Sequence, residues 1–327
     1  MRELAAMRPP RAGQALVFLR GGAVLALVLL LVFNALFTRD FLTLQTFNVN
    51  LSQVAMVVVV AMGMVLVIAT GGIDLSVGAT AAFAGTMAAV LLTQEQGLLT
   101  HPVLALAAAL TLPLLAAAAF GALNGTLISR YGIQPIVATL VLFIAGRGFA
   151  EMLTGSNLRT FSGGQLDWLK GNILGIPVQG IAMLLIVAAT AWFMRQTLFS
   201  RWVLAVGGNE RAARLAGVPV ARVKLGVYVV AAVLAGFAGI MNVALISAAD
   251  PARIGLNIEL DAIAAVAVGG TPLSGGRAQV AGTLIGAVVI QLLHYTLLAH
   301  GVADEYAMIV QAGIILLAVY LQRRPLS

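Results

Sequence analysis

Cysteine is absent from the 327-residue sequence. A disulfide framework, a zinc knuckle and a thiol nucleophile are excluded together. Charge is scarce too, at 9% of residues, against roughly 25% in an average soluble domain. Lysine occurs only as Lys170 and Lys224. The net charge of +7 therefore comes from arginines set in short breaks between apolar runs. They form no basic face with interleaved aromatics, so no nucleic-acid partner is expected. Neither lysine follows a glycine, which removes the G-x-x-x-x-G-K-[ST] phosphate loop. H-E-x-x-H is also missing. The histidines are His101, His294 and His300, each near a predicted helix end, and no metal site is expected. The few carboxylates are scattered and pair with no nucleophile. The sequence thus reads as no enzyme, with no cofactor, and any ATP hydrolysis belongs to another chain.

What the chain does have is apolar length. Hydrophobic residues make up 61% of it, and the mean hydropathy is +1.02. That surplus must face lipid, which makes the bilayer a partner. The fold class expected is an all-α polytopic membrane protein. A span takes about 20 apolar residues. About ten candidate spans lie near 16–37, 50–70, 74–93, 103–124, 133–153, 177–194, 225–248, 258–270, 279–299 and 304–321. The eighth is short for a full crossing, as a tilted, broken or half re-entrant helix would be. Within the first, an apolar run from Gly21 to Phe37 follows Arg2, Arg8, Arg11 and Arg20 and has no small-x-small cleavage site after it, so it reads as a helix that stays.

Basic residues orient the spans. With both termini cytoplasmic, fourteen basic residues fall inside, among them Arg195, Arg201, Arg211, Arg214, Arg222 and Lys224. Four fall outside, namely Arg39, Arg159, Lys170 and Arg253, and Arg147 lies within a span. Residues 1–327 then form a single transmembrane domain. About 1–15 are a cytoplasmic segment, and 195–224 are the longest cytoplasmic break.

Two segments repeat. Gly71-Gly72-Ile73-Asp74-Leu75-Ser76-Val77-Gly78 aligns without gaps to Gly269-Gly270-Thr271-Pro272-Leu273-Ser274-Gly275-Gly276. Both are expected at the cytoplasmic side of a helical pair, which makes the internal repeat parallel. The glycine pairs permit a sharp turn. Asp74 or Ser76, and Ser274 in the second copy, are expected to cap the helices that follow.

Polar residues inside the spans are few. Arg147 and Glu151 are four apart and share a helix face. They read either as a polar wall of a substrate path or as a structural pair. Glu259 and Asp261 open the eighth span, where a helix N-terminus favours acids. Asn50, Gln53, Asn124 and Asn242 read as path residues or as helix–helix glue. The candidate path set is Asn50, Gln53, Arg147, Glu151, Asn242 and Glu259. Within the inner break, Asn209 is a possible N-cap, Glu210 lies in a first turn, and Gly217-Val218-Pro219 is a stop. By its arginines this short helix reads equally as one lying on the membrane interface.

Several ordered motifs resemble the permease subunits of the ribose/xylose/galactose-type ABC importers. They include Gly63-Met64-Val65-Leu66-Val67-Ile68 running into the first glycine turn, Asn124-Gly125, Gln134-Pro135-Ile136-Val137-Ala138-Thr139-Leu140 and Arg147-Gly148. Ala205-Val206-Gly207-Gly208-Asn209-Glu210, Ala212-Ala213-Arg214, Gly217-Val218 and Glu259-Leu260-Asp261-Ala262 continue the series. The stretch from Gln134 to Thr154 looks closest to the galactofuranose type. The sequence departs from the family at Ala249-Asp250-Pro251-Ala252-Arg253-Ile254-Gly255, where an Asn-Pro-Thr-Ala-Gly-like stretch is usual. The resemblance implies a bacterial inner-membrane permease that moves a monosaccharide. Its partners would be a cytoplasmic ABC ATPase, a periplasmic sugar-binding protein and a second permease, identical or not. It also assigns ATPase coupling to Gly207, Asn209, Glu210, Ala212, Ala213, Arg214 and Gly217. Competing readings are an ABC permease for a branched-chain amino acid or nucleoside, a proton- or sodium-driven transporter, and a membrane scaffold.

Overall fold

A computed structural model describes residues 12–93, 101–161 and 164–303, with side chains from residue 22, and scattered positions between 306 and 316. Most of the expected N-terminal segment 1–15 and most of the tenth span, 304–321, lie outside the described residues. The other nine expected spans fall on helices α1 (Ala12–Phe37), α2 (Leu44–Ala69), α3 (Val77–Leu92), α4 (Pro102–Ser129), α5 (Pro135–Thr154), α7 (Val178–Gln196), α10 (Val220–Ile246), α11 (Ile258–Val268) and α12 (Val280–Ala299). Short α6 (Asp167–Lys170) sits between α5 and α7, and α8 (Leu198–Gly208) and α9 (Glu210–Leu215) sit between α7 and α10. Strands β1 (Arg159–Thr160), β2 (Asn172–Ile173), β3 (Ile176–Pro177) and β4 (Ala248–Ala249) make two small antiparallel pairs, β1–β4 and β2–β3. By length and composition, α2, α4, α5, α7, α10 and α12 can each cross a membrane.

Helix α2 is the axis of the bundle. Residues 54–69 are all buried, and the helix packs against α7, α10, α11 and α12. A helix apolar on every side suits lipid or a protein core equally well, so its central place came from packing alone. Small residues let the neighbours close in. A β-carbon on Gly63 would lie 2.7 Å from Ala231 Cα, and one on Gly121 would lie 2.5 Å from Tyr228 O. Gly239 of α10 lies directly on the Ala81 carbonyl of α3, and Gly85 faces Gly239.

That contact also sets depth. Helices α3 and α10 run parallel, with Ala81 level with Gly239. Helix α3 therefore starts about 15 Å short of the Ile246 end of α10. Gly78, in its first turn, is met there by Gly255 and Glu259. The segment after α10 thus turns back into the bundle before α11 begins. Helix α11 has 11 residues, about 16 Å, and is a half-helix that starts at mid-depth. The stretch from Ala249 to Gly255, expected to be external, is a strap that runs from the β1–β4 pair into the bundle to meet Gly78.

The two glycine turns share one geometry, with a register that differs from the ungapped alignment. After α2, Gly71 (φ 81°) donates to Ile68 O at 2.8 Å, and Gly72 donates to Val67 O at 3.2 Å. After α11, Gly270 (φ 83°) donates to Ala267 O at 2.9 Å, and Thr271 donates to Val266 O at 3.1 Å. Both are Schellman ends, whose left-handed residue favours glycine. The equivalent residues are Gly71 and Gly270, one place off the alignment. Of the expected caps, Ser76 does hold the N-cap position of α3, though its side chain makes no capping bond there. Asp74 Oδ1 accepts from Ser76 N at 2.9 Å and from Ser76 Oγ at 2.6 Å, and caps nothing in α3. Ser274 lies well before α12, whose N-cap is Gln279.

Valine at Gly239 forces α3 and α10 apart. The expected loss is about 2 kcal/mol, seen as a lower unfolding midpoint in detergent. Gly148→Ala, with nothing within 4 Å of the added carbon, leaves the midpoint unchanged.

Candidate coupling face and translocation path

The break 195–224 is two helices rather than one. Thr197 closes α7 and opens α8, with its Oγ1 accepting from Ser200 N at 3.2 Å. Asn209 closes α8 and opens α9, with its Oδ1 accepting from Ala212 N at 3.0 Å. The expected N-cap is therefore in place, while α8 was not read from the sequence. Its buried residues Ser200, Val203 and Val206 recur every third position, which is the signal that would have found it. Glu210 is pulled two ways, to Arg214 at 3.0 Å and to the Lys224 ammonium at 2.7 Å. Lys224 is only 16% exposed, so this second bond fastens α9 to the base of α10. Gly217 (φ 81°) ends α9 in a third Schellman turn, donating to Arg214 O at 3.1 Å while Val218 N reaches Ala213 O at 3.0 Å.

Burial divides the expected coupling residues. Ala213 faces inward. Gly207 is wedged against Ala69 and Gly276. Ala212, Arg214 and Gly217 face out, beside Arg211 and Leu215. Leu215 is 91% exposed and was not singled out from the sequence. An apolar anchor ringed by arginines, on a helix capped at both ends, is suited to a partner's groove.

The six candidate path residues fall in separate places. Arg147 reaches the strap 249–255 rather than Glu151. Its Nη1 donates to the carbonyls of Pro251 at 3.2 Å, Ala252 at 3.1 Å and Ile254 at 3.4 Å, and its Nη2 donates to Gly255 O at 3.5 Å. Irregular backbone at this depth needs donors from the protein itself, and one guanidinium supplies them. Residues in the left-handed region bound the strap, Ser247 (φ 52°) and Asn257 (φ 61°). Its outer end is tied by the β1–β4 pair and by Lys170 Nζ, which donates to Ser247 Oγ at 3.1 Å. Glu259 is buried against Gly78 and lies within the field of Arg147.

The amides act mainly between helices. Asn242 Nδ2 lies 3.4 Å from Met56 Sδ, and Asn124 Nδ2 donates to Ser76 Oγ at 2.9 Å. Asn50 donates back to Thr46 O within α2 at 3.0 Å. Gln53 differs. It is exposed, just before the buried stretch 54–69 of α2, and accepts from Gln291 Nε2 of α12 at 2.9 Å. Gln291 was missed, although a glutamine in an apolar helix is a visible signal.

Six helices long and apolar enough to cross a membrane, in a bundle with an apolar exterior, make this a multi-pass membrane protein. The chain belongs to the family described as branched-chain amino acid transport system / permease component, which matches residues 47–319. It is 39% identical over 308 residues to the ribose import permease protein RbsC of Escherichia coli strain K12, covering 92% of this chain and 93% of that one. It is 34% identical over 299 residues to the fructose import permease protein FruF of Bifidobacterium longum, covering 86% and 82%. It is 39% identical over 273 residues to the galactofuranose transporter permease protein YtfT of Escherichia coli strain K12, covering 83% and 78%. No solved structure matches the chain.

Removing the strap's donor is expected to be costly. Arg147→Met leaves several carbonyls unpaired, at about 1–3 kcal/mol each where buried. Limited proteolysis in detergent should then cut within 248–257, where the unaltered protein resists. An equally resistant variant would contradict this role for Arg147.

Proposed function

We propose that this chain is the transmembrane permease subunit of an ATP-binding-cassette importer and carries a monosaccharide delivered by a periplasmic binding protein. The permease class rests on the family match, and the sugar rests on relatives named for ribose, fructose and galactofuranose. The observation that carries the mechanism is α9, a doubly capped helix that presents Leu215, Arg211 and Arg214 outward while Glu210 pins it to α10. This face docks in the groove of a cytoplasmic ATPase. ATP binding draws two such ATPases together, and the permeases pass from inward-open to outward-open. The sugar then moves between two permeases, identical or not.

The same reading places both termini in the cytoplasm of a bacterial inner-membrane protein with about ten spans and a parallel repeat. The matching Schellman ends of α2 and α11 support the repeat. The exposed Gln53–Gln291 pair supports a polar path, because such a pair is costly against lipid. Asn50, on the same helix, extends that face.

Reconstitution with the neighbouring ATPase and binding protein tests the cargo. Uptake of radiolabelled ribose, fructose or L-arabinose that requires ATP is the expected result. ATP-driven uptake of leucine alone, or sugar uptake without an ATPase, would overturn it. Glu210→Arg sets a third cation beside Arg214 and Lys224, and Gly217→Trp spoils the end of α9. Both should still insert in the membrane, but ATP hydrolysis should no longer drive uptake. Undiminished uptake in both would remove α9 from the coupling role.

A further inference from the structure

Three segments far apart in sequence meet at the inner end of α2. They are the α2–α3 turn, the α11–α12 turn and the end of α8. Their contact is backbone to backbone. Gly276 N donates to Ala69 O at 2.9 Å. A β-carbon on Gly207 would overlap that same carbonyl and come within 2.5 Å of Gly276 N. One on Gly275 would lie 2.6 Å from Gly71 N and 3.1 Å from Gly207 O, and one on Gly276 would lie 3.0 Å from Gly208 Cα. Side chains in such a contact could rotate and slip. Backbone atoms wedged at this distance move only together.

We infer that Gly207 is the positioning residue through which α9 moves the translocation path, seated in a joint made with Ala69, Gly71, Gly275 and Gly276. This rests on the coupling role proposed for α9. Gly207 was grouped with the ATPase-coupling residues by resemblance, and it sits against Ala69 and Gly276 rather than on the exposed face of α9. The connection from α9 is stiff, because Asn209 is at once the last cap of α8 and the first cap of α9. No free residue lies between them to absorb a displacement. On the far side, the joint holds the end of the buried axis α2 and the turn that ends the half-helix α11. A push on α9 therefore reaches both elements that run to the mid-depth strap, α2 through its turn into α3 and α11 directly.

Adjacent glycines provide the test. Gly208 has nothing within 4 Å of an added β-carbon, while Gly207 has none of that space. The assay uses the full complex in liposomes, with ATP hydrolysis and uptake of whichever labelled sugar the unaltered complex carries. Gly207→Ala should keep the ATPase bound, because α9 is untouched, and sugar moved per ATP should fall about tenfold. Gly208→Ala should match the unaltered complex. A glycine inserted between Gly208 and Asn209 adds no bulk to the joint and so guards against a folding defect. It should also keep the ATPase bound and lose coupling. Unaltered sugar per ATP in both Gly207→Ala and the insertion variant would overturn the joint. Leu215→Asp separates the premise, since its failure to weaken ATPase retention would overturn the docking role of α9 and leave the joint's packing in place.

Discussion

Backbone amides and carbonyls deep in this bundle must be bonded within the protein, because lipid offers them nothing. Helices meet that demand by themselves. The segments that leave helical geometry, 70–76, 247–257 and 269–279, do not, and the rest of the structure is arranged around them. The strap borrows a guanidinium from α5, the two turns close on Schellman bonds, and Gly276 N donates to the carbonyl of Ala69, the last residue of α2. The Schellman bonds are local, but the guanidinium and the Gly276 amide each join elements distant in sequence, so satisfying the backbone also helps fix the tertiary arrangement.

The same demand concentrates the chain's mechanical links at a few points. At mid-depth, the first turn of α3 meets the strap and Glu259 at the start of α11. At the Ala69 end of α2, the turn after α2 meets the turn after α11 and the end of α8. Helix α11 bridges the two levels within about 16 Å. A protein with few intramembrane charges can thus change shape without breaking buried ion pairs. Sugar selectivity, in the function proposed, lies mainly with the soluble receptor. The scattered polar residues of the spans agree with a path that guides its cargo rather than holding it.

Much of this was legible in the sequence. Apolar runs placed nine helices, and Asn209 and Gly217 marked both ends of α9 because capping is local chemistry. The short eighth run already suggested a half-helix. Other features depended on partners far along the chain. Arg147 was visible as an intramembrane charge, yet its carbonyl partners lie more than a hundred residues away, and no local pattern names them. Helix α2 is as apolar as a lipid-facing span, so only packing showed it to be the axis. The glycine pairs announced two turns, but the residue taking positive φ is the first glycine after α2 and the second after α11. That choice follows where each helix ends, which composition does not fix. Gly207 belongs to a recognisable motif, while its function depends on Ala69 and Gly276 standing against it.

The central claim is that α9 lies on the cytoplasmic side and is gripped there by an ATPase. The cysteine-free chain makes a direct measurement possible. A single cysteine in place of Leu215 can be tested with a membrane-impermeant maleimide. The account predicts labelling in inside-out vesicles, none in right-side-out vesicles, and protection when the ATPase is bound. Labelling from the outer face, or labelling unchanged by the ATPase, would contradict it.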